Sequence, residues 1–182
     1  KVGVIAIASS SEAEGSTAIL GSEASATGAQ AVAIGNFASA TGSQSVTIGA
    51  NTKAEGYGSI SIGGDDLNTT RYQTEVQNHS RTTTAKGKAS VAIGGGSVAT
   101  GEGSIVLGPV ASAGHTEGIA IGARSSSTAE YGIAVGGSAT AGKNAVAVGR
   151  ESKGAGTDSI AIGNSAKTTG ADSVVVGANI NV

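Results

Sequence analysis

A glycine recurs every 14 residues along most of the chain: Gly21, Gly35, Gly49 and Gly63, then, after a step of 31, Gly94, Gly108, Gly122 and Gly136. A single step of 13 leads to Gly149, and the 14-residue rhythm resumes at Gly163 and Gly177. Ala8 holds the glycine position of an earlier unit, "IAIA", which gives 12 units in all. A period this short and this persistent is the signature of a solenoid in which each repeat is one coil stacked on the last.

Within the unit, aliphatic side chains stand three and one places before the glycine, for example Val32 and Ile34, Val91 and Ile93, or Ile119 and Ile121. Residues two apart on a strand share a face. Between them runs a column of small residues that includes Ala33, Ala92, Ala120, Ala134, Ala147 and Ala161. Small residues also stand three and five places after the glycine, as in Ala24/Ala26, Ala38/Ala40 and Thr52/Ala54, with mostly polar residues between them. A further glycine closes many units at Gly15, Gly28, Gly42, Gly56, Gly87, Gly101, Gly156 and Gly170, where a corner through positive φ is expected. Each unit then reads as strand, turn, strand, turn, with strands of about five residues; twelve coils at ~4.8 Å give a rod of roughly 55 Å.

Composition supports thin, closely stacked sheets. There are 31 Gly, one Phe and three Tyr, with no Trp, Met or Cys, so an ordinary mixed core is not available. The Val/Ile pair is expected to fill the space against the small pair of the second strand. The Ala column would then face outward onto symmetry-related copies, making Ala33, Ala92, Ala120, Ala134, Ala147 and Ala161 a candidate oligomer interface.

Tandem units of the form S-V-A-I-G-x-x-A-x-A-x-G resemble the head domain of YadA-like trimeric autotransporter adhesins. The resemblance implies an all-β, left-handed parallel β-roll solenoid of 14-residue coils assembled as a homotrimer. It further implies a bacterial cell-surface, extracellular location, anchored in the outer membrane only through a C-terminal region beyond Val182. Attachment to collagen, fibronectin, laminin or other cells, with no catalysis and no cofactor, is the implied activity; a purely structural spacer is the alternative. In the family's best-known member collagen binding is attributed to N-S-V-A-I-G motifs. The nearest counterparts here are NAVAVG at 144–149, ASVAIG at 89–94, DSIAIG at 158–163 and DSVVVG at 172–177. Asn144 keeps the motif's Asn, so it is a candidate ligand contact.

The sequence reads as one head fragment, residues 1–182, interrupted by an inserted surface loop at 64–80. That loop, "GDDLNTTRYQTEVQNHS", concentrates Arg71, Tyr72, Glu75 and His79. Arg and Tyr are enriched in interface hot spots, so these four are candidate ligand contacts. The competing reading has the loop bracing a neighbouring subunit through Leu67 and Val76. Asp65 and Asp66 lack the spaced acidic series of a calcium site, and the two histidines have no partner at zinc-like spacing. A net charge of -2 without a basic stripe argues against nucleic acid, and no apolar run is long enough to span a membrane as a helix. Two isolated histidines supply no catalytic triad, and a period of 14 cannot form the three hexapeptide faces of an acyltransferase β-helix.

Overall fold

The structure is a computed structural model and describes residues 5–7, 12–13, 17–65, 70–72 and 81–182. It is a parallel β-solenoid. Three-residue strands such as Val32–Ile34, Val46–Ile48 and Ile119–Ile121 form one sheet of 12 strands, and two-residue strands such as Ser39–Ala40 and Lys53–Ala54 form a second of 11. Pairing is parallel throughout both sheets and in strict repeat register, with Val32 opposite Val46 and Ser39 opposite Lys53. Strands shorter than the expected five residues follow from the corners, which take most of each coil.

The sequence expectation for the two faces of the longer strands is reversed. Ala33, Ala92, Ala120, Ala134, Ala147 and Ala161 are fully buried inside the coil, where they cluster with Ala26, Ala40, Ala99, Ala113, Ala141 and Ala166 of the other side. They are therefore core residues and do not face another copy. The Val/Ile pair points outward instead, leaving Ile48, Ile60, Ile93, Ile105 and Ile162 more than a third exposed. The cause is the size of the coil. Two tight corners per 14 residues leave room between the sheets for little more than Ala, Ser and Thr; among the described residues Val106 is the largest side chain with no exposure, and Ile19 and Val175, at 2% and 3%, stand in the same inward column.

The serine that opens each SVAIG unit also turns inward, as at Ser45, Ser59, Ser90 and Ser104. Several of these hydroxyls find a local acceptor: Ser104 Oγ donates to Gly101 O and Ser159 Oγ to Gly156 O, both at 2.7 Å. Where Thr47 replaces the column alanine, its hydroxyl donates to Thr52 across the core. Ser45, Ser59 and Ser90 differ, since their buried hydroxyls have no hydrogen-bond partner among the described residues.

Packing is compensated between columns. Ser127 stands where most coils have Ala, and the two inward positions beside it are Gly118 and Gly132 rather than Ser. A Cβ at either glycine would lie 2.7 or 2.8 Å from Ser127 Oγ. The extra hydroxyl fills the space the glycines vacate and donates to Gly132 O at 2.9 Å.

The two glycine columns have different causes. The SVAIG glycines take φ between +120° and +151°, a region closed to other residues, and a Cβ there would strike the next coil's backbone. The second-corner glycines were expected to need positive φ, but Gly28, Gly42, Gly56, Gly87, Gly101 and Gly156 do not adopt it. They are glycine because a Cβ would lie 1.9–2.1 Å from a carbonyl oxygen of the next coil. Positive φ falls two residues later, on Gln30, Gln44, Ala89 and Asp158, all near φ 55–60°, and the first corner repeats this two residues after its own glycine, as at Phe37 and Arg124. One residue is lost from a second corner, between Ala141 and Asn144, and this accounts for the 13-residue step.

Candidate functional site

The corners carry the exposed chemistry, since the residues with left-handed backbone project there as ladders. Gln44 Nε2 donates to Gln30 Oε1 at 3.1 Å, and Asn144 Nδ2 donates to Asp158 Oδ1 at 2.9 Å. These pairs lie on the second corner. The first corner, at the opposite ends of the strands, carries Arg124, Ser138 and Glu151.

The inserted segment leaves the rod at a first corner. Asp65 pairs antiparallel with Thr82, and Thr83 N donates to Gly64 O at 3.0 Å, closing its neck. Thr83 then resumes the small inward column in place of the residue that would have followed Gly63, and it is fully buried. Arg71 and Tyr72 of the segment lie against the same edge of their own rod. Arg124, from a coil three steps further along, donates through Nε and Nη2 to Tyr72 O at 3.0 and 2.8 Å and through Nη2 to Arg71 O at 3.1 Å. At the neck, Arg81 donates to Gly96 O at 2.8 Å and to Val110 O at 2.9 Å, bridging two corners. Main-chain carbonyls of loop and corner are thus stitched together by guanidinium forks, whose planar donor array suits two acceptors at once.

Between loop and corner lies a groove of about 450 Å³ lined by Arg71, Tyr72, Ala123, Arg124, Gly137, Ser138, Arg150 and Glu151. The Arg71 guanidinium sits 5.2 Å from the centre of the Tyr72 ring and its Nη2 donates to the Tyr72 hydroxyl at 3.2 Å. Arg150 pairs with Glu151 at 2.8 Å.

Of the sequence-derived candidates, the structure brings Arg71 and Tyr72 together in this groove. Asn144 lies on the other corner and does not join them. Glu75 and His79, like Leu67 and Val76, lie outside the described residues. Arg124, Arg150, Ser138 and Glu151 were missed by sequence reasoning. A signal for them existed: the chain has only four arginines, Arg71, Arg81, Arg124 and Arg150, and all four lie at this one edge, whereas its lysines are scattered.

The second exposed feature is the outward Val/Ile face. Its aliphatic side chains are half-buried or exposed in each described coil, with Leu20, Ile48, Ile60, Ile93, Ile105, Ile162, Val174 and Val176 between 36% and 68% exposed, a continuous apolar stripe of the kind that marks an interaction surface. In the N-S-V-A-I-G pattern the second and fourth residues are core: Ala145 and Ala147 are fully buried. Only Asn144 and the two aliphatics reach the surface there.

With this geometry in place, the comparisons with known proteins are unambiguous in one respect. The sequence matches the YadA head domain repeat (2 copies) over residues 20–38, 40–65, 85–111, 116–139 and 155–179, well over half of the chain. The chain belongs to the YadA head family. A YadA-type head is the fold and family of an adhesin rather than of an enzyme. No curated protein sequence gives a significant match. Among solved structures the chain is similar to the crystal structure of the collagen-binding domain of the Yersinia adhesin YadA, at 24% identity and a TM-score of 0.40. That similarity covers 87% of this chain and 64% of the other, so this YadA-type head spans less than two-thirds of that chain's length.

Proposed function

We propose that this chain is the head of a bacterial surface adhesin that works as a homotrimer and attaches to extracellular-matrix proteins such as collagen, fibronectin or laminin, or to other cells. Its membrane tether, in this reading, is an outer-membrane anchor supplied by a C-terminal region of a longer protein. The observation that carries the reading is the outward Val/Ile face on a fold of this family. The monomer buries Ala, Ser and Thr and leaves outside the side chains whose burial is worth most, about 1.5–3 kcal/mol each. Packing these faces together around a common axis removes them from water and leaves the polar sheet and both corners free for ligands. Asn144, Arg71 and Tyr72 remain exposed in such an arrangement as ligand contacts.

The test is solid-phase binding of the assembled head to immobilised collagen, fibronectin and laminin. Saturable binding to at least one, lost on thermal unfolding, is expected. A stable assembly that binds none of them, and no cells, is the behaviour of a structural spacer and contradicts the adhesin reading.

A further inference from the structure

The groove at the first corner gathers three of the chain's four arginines, Arg71, Arg124 and Arg150, in a protein whose net charge is -2. Among the described residues Glu151 is the one acidic residue lining it, and it already pairs with Arg150. Among the described residues no carboxylate pairs with Arg71 or Arg124. Arg124 is held by its bonds to the loop carbonyls through Nε and Nη2, which leaves its Nη1 without an acceptor among the described residues. A fixed guanidinium with unused donors is a preorganised oxyanion contact.

The rest of the lining narrows the ligand class. Ala123 and Gly137 give close access to the corner backbone, and Ser138 and the Tyr72 hydroxyl add short polar contacts. Among the described lining residues, only the Tyr72 ring offers an apolar peptide side chain a large surface. An aromatic ring, hydroxyls and guanidinium groups together suit a sugar that carries an acidic group.

We propose that this groove binds an acidic saccharide, with Arg71, Arg124 and Arg150 taking its carboxylate or sulfate and Tyr72 and Ser138 meeting the sugar. All the lining residues come from one chain, so the proposal stands independently of which matrix protein the rod engages.

The experiment is calorimetric titration of the assembled head with a sulfated, uronate-containing hexasaccharide, its desulfated counterpart, a neutral hexasaccharide and hexaglutamate. The sulfated sugar should bind, and more weakly as salt rises. Retained binding of the desulfated sugar assigns the contact to the carboxylate, and its loss assigns it to the sulfate. Arg71→Gln leaves the Arg124 bonds in place, because those go to main-chain carbonyls, and should weaken binding about tenfold, as should Arg150→Gln. Glu151→Gln, which removes the competing carboxylate, should tighten it, and Lys153→Gln on the other sheet should leave it unchanged. Equal binding of the neutral sugar, preference for hexaglutamate, no binding of any acidic sugar, or equal losses from Arg71→Gln and Lys153→Gln would each overturn the proposal.

Discussion

The two sheets of this rod share an inner face and differ on the outer one. Inside, both present Ala, Ser and Thr, so neither dominates the core. Outside, the two-residue strands carry Ser39, Lys53, Ser112, Ser126 and Lys153, a surface suited to water, while the three-residue strands carry paired Val, Ile and Leu. Because the repeat is strict, each outer side chain is multiplied into a stripe along the rod. The difference teaches that in a coil this narrow most large aliphatics stay outside the core of their own chain, with Ile19, Val106 and Val175 the exceptions, and the proposed assembly is what would cover the rest.

That contrast predicts its own failure modes. The largest effect should come from charging the aliphatic stripe: Ile119→Asp together with Ile133→Asp buries unpaired charge at several kcal/mol per site and should dissociate the assembly in sedimentation. Ser39→Asp on the other sheet, opposite Lys53, should change stability by no more than about 0.5 kcal/mol. Next in size is Gly122→Ala, which forces an L side chain to φ +122° with its Cβ 2.7 Å from the Gly136 backbone. A loss of roughly 3–5 kcal/mol is expected from chemical denaturation.

Gly118→Ala should cost about 1–3 kcal/mol by crowding Ser127, and adding Ser127→Ala should restore most of it in a double-mutant cycle. The smallest effect is a gain. Ala89 is exposed at φ 55°, so Ala89→Gly should stabilise by up to about 1 kcal/mol, whereas Ala99→Gly in the core should destabilise by a similar amount.

The coil, its parallel stacking and its period were legible because the Val-Ala-Ile-Gly pattern repeats identical constraints a dozen times. The direction of the strands' faces was not. Alternation alone says that Val32 and Ile34 oppose Ala33 but leaves either set free to be core, and the usual preference for large core side chains misleads in so thin a coil. Columns that compensate in volume, such as Gly118 and Gly132 with Ser127, carry the correct assignment, since only residues that touch need to compensate. The second-corner glycines misled similarly: Gly42 is demanded by the coil beneath it rather than by its own φ. At the groove, Arg71 and Tyr72 were visible through the density of the inserted segment. Arg124 and Arg150 sit in ordinary repeat positions far along the chain, and only the placement of Arg71 and Tyr72 against that corner brings them together.

The central claim is that the outward Val/Ile face is an interface between copies of this chain. Sedimentation equilibrium over a dilution series tests it most directly. Three chains persisting on dilution, with the Ile119→Asp/Ile133→Asp protein falling apart, is the predicted result. A folded monomer that leaves this face in water would contradict it.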